Sequence, residues 1–204
     1  MASHRICRVL LAVVAVVAVG CTTTTKTTST TLTTSSPDQK SESGRRQEAL
    51  ANYVQVALGY IGKGNRDQAR LNLLRALEID GRSAAAHNGM ALLYQLEKDP
   101  PHAEEHFRKA LRYDSGFTQA RNNFGVFLAT QKRYQEAFDQ FEIAARDVNY
   151  NLRPQVFASL GVMAKKLARP EVARDAWERA IALDPALPGP YLELAEYHFQ
   201  RKDY

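Results

Sequence analysis

A small–large–small pattern of side chains recurs along this 204-residue chain and constrains its fold more than any other feature. Alanine stands at positions 69, 103, 137 and 173, at spacings of 34, 34 and 36 residues. Four residues after each alanine comes a bulky side chain, and after seven a second alanine: Leu73, Phe107, Phe141 and Trp177, then Ala76, Ala110, Ala144 and Ala180. Positions i, i+4 and i+7 share one helix face, so each copy predicts a helix that a partner helix can approach closely.

A second repeating stripe precedes each of these helices and predicts that partner. A bulky apolar residue is followed directly by a small one at Val56-Ala57, Met90-Ala91, Phe124-Gly125, Leu160-Gly161 and Leu194-Ala195. Turn-forming residues lie between the two helices, at 62–65, 98–101 and 168–170 among other places. A helix–turn–helix unit of about 34 residues resembles the tetratricopeptide repeat (TPR), which buries its apolar face only by stacking on neighbouring copies.

We therefore predict an all-α fold, an α-solenoid of TPRs forming a right-handed superhelix. The repeats are expected at residues 50–83, 84–117, 118–151 and 154–187, with a partial repeat at 188–204. Because that last repeat supplies only its first helix, Leu194 and Phe199 have less cover than the repeat requires. We expect that further chain follows or that a partner covers this end.

The first 20 residues are predicted to be a signal peptide rather than part of the fold. His4, Arg5 and Arg8 precede an apolar run at residues 9–19, which is too short to span a bilayer comfortably. The string Val-Ala-Val-Gly-Cys at 17–21 resembles a bacterial lipobox and implies lipidation of Cys21. Thr22, where inner-membrane lipoproteins usually carry Asp, implies by analogy an outer-membrane protein that faces the periplasm. An ordinary signal peptide followed by an incidental cysteine is the alternative.

Residues 21–44 are predicted to be a tether, and residues 45–204 the TPR domain. Thr and Ser fill almost all of 22–36, and such a segment cannot bury enough apolar area to offset its chain entropy. The formal charge of +5 falls to +3 once Arg5 and Arg8 leave with the signal peptide. A charge this mild does not indicate a nucleic-acid partner.

One motif raises the question of catalysis. The string His-Ala-Glu-Glu-His at 102–106 matches the inverted zinc-peptidase motif, in which two histidines one helical turn apart hold a metal and a glutamate acts as base. Ala103 and Phe107 belong to the repeat's buried stripe, which leaves His102 and His106 on the outer flank of the helix. No third metal ligand is evident in the sequence. The chain also lacks a P-loop, a dinucleotide fingerprint and a nucleophile elbow. We therefore predict no enzyme activity, no catalytic residue, no metal site and no cofactor, and keep a zinc peptidase as a remote alternative.

A protein-binding groove is the better candidate site, because the first helix of each TPR lines the concave surface. We expect that groove to be lined by Val54, Leu58, Ile61, Asn88, Leu92, Asn122, Val126 and Val162. Apolar residues at exposed positions often mark a binding site, and the two asparagines, one period apart, can hydrogen-bond a peptide backbone. Packing of Val54 and Ile61 against an N-terminal segment is the alternative.

A lipobox followed by TPRs resembles the PilF/PilW family of type IV pilus biogenesis lipoproteins. The more specific likeness lies in Asn-Asn-Phe-Gly-Val-Phe-Leu at 122–128, in Lys-Arg-Tyr-Gln-Glu-Ala at 132–137, and in the two-residue lengthening after the third repeat. The resemblance implies a pilotin, which helps the outer-membrane secretin ring to localise and multimerise by binding without catalysis. The implied partner is the secretin subunit, with membrane contact through the lipid anchor only and a monomeric chain on its own. A general periplasmic adaptor that scaffolds cell-wall hydrolases or proteases is the alternative.

Overall fold

The computed structural model describes residues 41–202, and this part of the chain consists of nine α-helices joined by short turns, without a strand. The first helices of the repeats are α1 (Glu42–Gly62), α3 (Ala84–Leu96), α5 (Thr118–Thr130), α7 (Arg153–Lys166) and α9 (Pro188–Arg201). The second helices are α2 (Arg66–Ile79), α4 (Pro100–Tyr113), α6 (Tyr134–Ala144) and α8 (Pro170–Leu183). The predicted all-α TPR fold is confirmed, and the predicted start of the first repeat at residue 50 lies inside α1.

Local sequence explains where most helices begin and end. The side chains of Ser41, Asn65, Ser83 and Asp99 accept hydrogen bonds from backbone N–H groups three residues ahead, which caps four helix N-termini. Proline occupies the first turn of α4, α7, α8 and α9, where its missing N–H costs nothing. The chain reverses after each first helix through one left-handed residue at a fixed repeat position: Gly64, Lys98, Lys132, Ala168 and Lys202.

The first helix starts earlier than the sequence indicated. Helix α1 begins at Glu42, inside the segment predicted as tether, and runs for 21 residues against 13 or 14 in the later first helices. The hydroxyl of Ser41 accepts a hydrogen bond from the backbone N–H of Gly44 at 3.2 Å and so fixes this start. The predicted signal peptide, Cys21 and residues 22–40 of the tether lie outside the described residues.

The small–large–small pattern forms the core as predicted. All four bulky residues of the second helices and both sets of alanines are buried. Glycines on the first helices allow the closest approaches: a Cβ at Gly125 would lie 2.8 Å from the Phe141 ring, and one at Gly161 would lie 2.3 Å from Nε1 of Trp177. Each bulky side chain therefore fills the space that a neighbouring glycine leaves open.

The first repeat departs from the predicted stripe because it has no neighbour on one side. Met90 packs against Ala57 and Leu73 of the preceding repeat, whereas Val56, at the same position of α1, is 47% exposed. No helix precedes α1 among the described residues, so nothing there covers Val56. At the other end, Phe199 of α9 is 74% exposed, as the partial repeat predicts, and Leu194 is half-buried.

Candidate partner-binding groove

An apolar ladder crosses the inner face of the stack, where α1, α3, α5 and α7 each present one turn to it. We call Leu58, Leu92, Val126 and Val162 the inner ladder, because they occupy a single repeat position at spacings of 34, 34 and 36 residues. Val126 is 43% exposed, and the other three are half-buried. Each of four successive repeats thus places an aliphatic side chain at a solvent-accessible position of its first helix. The fold does not require apolar side chains at such a position, so the set indicates an interaction surface.

The ladder opens into a cavity of about 460 Å³ between α5, α7 and α9. Its walls are mostly apolar and include Val126, Ala129, Phe141, Ala158, Val162 and Met163. Thr130, Ser159 and Glu193 supply the polar groups. A cavity of this size and lining can hold an apolar side chain of a protein partner, while the partner's backbone contacts the polar groups.

Two of the predicted groove residues are instead buried in the core. Val54 is 7% exposed and packs against Ala76 and Ala86, because its position on the first helix faces the next repeat. Asn88 is 2% exposed, and its Oδ1 accepts a hydrogen bond from Nδ2 of Asn123 at 3.1 Å. That bond uses the amide to join α3 to α5, so the assignment of Val54 and Asn88 to the groove surface was wrong.

The two predicted members outside the inner ladder, Ile61 and Asn122, are half-buried and differ in their surroundings. Ile61 packs against the cluster around Ala57 and Leu73. Asn122 lies beside the phenol of Tyr150, where burial raises the pKa of the hydroxyl and the amide opposes that rise. Sequence reasoning missed Met163 and Glu193, since the first follows the repeat's core phase and the second belongs to a helix that was read only as a partial repeat.

The two histidines of the motif pack against the ring of Tyr94 on α3. Nδ1 of His102 lies 2.7 Å from Oδ2 of Asp99, and its ring stacks on Tyr94. Nδ1 of His106 instead lies 2.9 Å from Nδ1 of His87, a buried residue of α3. The two motif histidines therefore have different hydrogen-bond partners, and no group of three His, Cys, Asp or Glu side chains suited to a metal occurs within residues 41–202.

The protonation of this cluster follows from its hydrogen bonds. Nε2 of His87 lies 3.2 Å from the carbonyl oxygen of Gly81, so this nitrogen donates and Nδ1 is left to accept. His106 then donates from Nδ1, so the contact between the two rings is a hydrogen bond when both are neutral. Burial, followed by the charges of His87 and Lys109, lowers the pKa of His106 to about 4. Burial also lowers the pKa of His87.

Ion pairs join successive repeats. Glu104 of α4 accepts hydrogen bonds from Arg133 at 2.6 Å and from Arg108 at 2.7 Å, which lowers the pKa of its carboxyl. Lys165 at the end of α7 donates to Glu193 at 2.9 Å and to Glu196 at 2.7 Å, and so ties α9 to the fourth repeat. None of the described helices is both long and apolar enough to cross a bilayer.

Comparisons with known proteins point to one family, although no protein-family model matches the chain. The type IV pilus assembly protein PilF of Pseudomonas aeruginosa is 39% identical over 165 residues, which are 81% of this chain and 65% of PilF. This chain thus spans slightly less than two thirds of that curated relative. An uncharacterised protein of Haemophilus influenzae is 27% identical over 72% of this chain and 82% of its own length.

Solved structures agree with the sequence comparison. The structure of P. aeruginosa PilF superposes with a TM-score of 0.75 at 39% identity, covering 78% of this chain and 72% of that one. PilW, described as a widely conserved type IV pilus biogenesis factor, superposes with a TM-score of 0.67 at 26% identity over 75% and 70% of the two chains. MamA, at 18% identity and a TM-score of 0.63, shares the TPR fold. The chain belongs to the PilF/PilW family of type IV pilus TPR proteins.

Proposed function

We propose that this protein is a lipid-anchored outer-membrane pilotin, which binds a segment of the type IV pilus secretin and assists its localisation and multimerisation. The observation that carries the proposal is the inner ladder with its adjoining apolar cavity, in a chain 39% identical to a type IV pilus assembly protein. Proteins of this fold bind partners on the face that their first helices form, and the described residues offer no constellation for catalysis. Binding alone is the proposed activity.

The groove favours an extended or helical segment that carries apolar side chains at intervals. Each ladder residue offers a small contact, so affinity would come from several repeats acting together rather than from one deep pocket. The proposed anchor at Cys21 and the tether that follows would hold this surface near the membrane where the secretin assembles. Tethering raises the effective concentration of the two partners, so a modest intrinsic affinity suffices.

Val126→Asp is the sharpest test of the groove. Val126 is exposed and lines the cavity, so a carboxylate there opposes an apolar ligand without disturbing the core. We expect capture of the secretin subunit by the purified protein to fall at least about tenfold, the loss expected when an apolar contact is replaced by a charge that must be desolvated.

Val56→Asp is the matched control, because Val56 is exposed to nearly the same extent but lies off the ladder. It should leave capture unchanged, and both variants should keep the wild-type circular dichroism. Equal binding by wild type and Val126→Asp would contradict the groove assignment.

Secretin assembly in cells tests the function itself. In cells lacking the gene, outer-membrane fractions run on SDS gels without boiling should lose the high-mass secretin ring and retain the monomer. A Cys21→Ser variant should leave the membrane fraction and restore few rings. If rings form normally without the gene, the pilotin role is wrong and a general periplasmic adaptor becomes the better explanation.

A further inference from the structure

A second cleft lies between α6, α7 and α8 and shares no lining residue with the cavity beside the inner ladder. Its volume is about 380 Å³, and the side chains of Phe138, Phe157 and Leu160 form an apolar floor. Two arginines stand over that floor: the guanidinium of Arg153 lies 5.3 Å from the centroid of the Phe157 ring, and that of Arg179 lies 5.8 Å from it. We call this the outer cleft.

Neither of these guanidiniums forms an ion pair with a carboxylate within residues 41–202, although the charge of Arg153 helps to lower the pKa of Asp147. Arg153 donates from Nε to the carbonyl oxygen of Ala145 at 2.8 Å, which orients the side chain, and its two terminal nitrogens have no acceptor among the described residues. The two acidic side chains of the cleft are already paired, Glu142 with Arg146 at 3.7 Å and Asp175 with Arg174 at 2.6 Å. Two like charges are thus held against one ring, an arrangement that an anion would stabilise.

The outer cleft lies where the regular 34-residue spacing of the repeats is interrupted. Helix α6 has 11 residues, against 14 in the other three second helices, and the longer connection after it accounts for the 36-residue spacing. The first repeat carries one of the two guanidiniums. Arg75 occupies the position of Arg179, and its guanidinium lies 5.8 Å from the centroid of the Tyr53 ring. Ala49 stands there in the place of Arg153, so the first repeat lacks the second guanidinium.

We propose that the outer cleft binds a carboxylate of a protein partner, with an apolar side chain next to that carboxylate seated on the Phe157 floor. The two guanidiniums present several N–H donors to one anion, and paired N–H···O bonds from arginine favour a planar carboxylate. The apolar floor favours a peptide over a free ion. This site lies apart from the inner ladder, so it adds a second contact surface to the proposed function without depending on it.

The test uses two peptides that differ only in one charge, acetyl-Ala-Phe-Glu-Phe-amide and acetyl-Ala-Phe-Gln-Phe-amide. Each is titrated into the ¹⁵N-labelled full chain while the side-chain Nε–H resonances of the arginines are followed by NMR. We expect the Glu peptide to shift the Arg153 and Arg179 resonances saturably and to bind at least about tenfold more tightly than the Gln peptide, as one charge-assisted pair implies.

Arg179→Gln and Arg75→Gln form a matched pair of variants, because both remove an exposed guanidinium from the same repeat position and the same kind of ring. Arg179→Gln should weaken binding of the Glu peptide about tenfold or more, and Arg75→Gln should leave it unchanged. The proposal is overturned by equal affinity for the two peptides, by an equal effect of the two variants, or by the absence of a saturable shift at millimolar peptide. It is equally overturned if only phosphatidylglycerol vesicles bind through Arg179, since the ligand is then a lipid surface.

Discussion

Substitution of Gly161 tests whether close approach of α7 and α8 shapes the fourth repeat. An alanine Cβ at this position would lie 2.3 Å from Nε1 and 2.5 Å from Cδ1 of Trp177. The indole is rigid and 2% exposed, so neither side chain can move aside without disturbing its neighbours. Overpacking of this kind costs about 1–3 kcal/mol of the free energy of unfolding, whereas replacing Gly by Ala inside a helix contributes about 1 kcal/mol in the opposite direction.

Gly59→Ala measures the gain in helix propensity without the steric cost, so comparison with it isolates the cost of overpacking at Gly161. Gly59 also lies within a first helix, but a Cβ there would meet nothing within 4 Å. We expect Gly59→Ala to raise the free energy of unfolding by about 1 kcal/mol, and Gly161→Ala to lie about 1–3 kcal/mol below Gly59→Ala. Urea unfolding followed by circular dichroism measures both, and the emission of Trp177, the sole tryptophan, reports the local shift. If Gly161→Ala proves as stable as Gly59→Ala, the packing argument is refuted.

Two further predictions concern the histidine pair and the last helix. The fold lowers the pKa of His106 to about 4, so on acidification this histidine is protonated in the unfolded chain before it is protonated in the folded one. The free energy of unfolding should therefore decline as the pH falls from about 6.5 towards 4. The urea midpoint should follow this decline, and His106→Gln should flatten it; an unchanged slope would contradict the assignment. Tyr197→Ala should release α9 and cost about 3 kcal/mol, because this buried ring packs the helix and its hydroxyl donates to Glu171 at 2.9 Å. Hydrogen exchange should then rise across α9 alone, while exposed Tyr191→Ala should have little effect.

Burial of polar residues explains why part of the predicted groove surface was wrong. Val126 and Val162 could be assigned to one face of the first helices from their phase in the repeat, since copies of one repeat position lie on the same helix face. Asn88 shares its position with Asn122, yet only Asn88 is fully buried, because Asn123 of the next helix reaches it. That contact depends on the angle between two helices, which the spacing of residues along the chain does not contain.

The outer cleft could not be predicted from the sequence either, because it also depends on how neighbouring helices pack. Arg153 and Arg179 are 26 positions apart and belong to no shared motif, so nothing in the sequence links them. They meet over Phe157 only after α7 and α8 pack and the connection after α6 turns back towards Arg153.

The helix–turn–helix repeat, its period and its core follow from the order of residues alone, because a stacked repeat requires small and large side chains at fixed offsets and these are visible in every copy. Ala69 and Leu73 could be assigned to the core for this reason. Which polar side chains are buried, how the end repeats are covered, and which described charges lack an ion-pair partner became known from the packed helices. Those properties depend on contacts between neighbouring repeats, and Val56 and Met90 show that one repeat position is exposed or buried according to whether a neighbour is there.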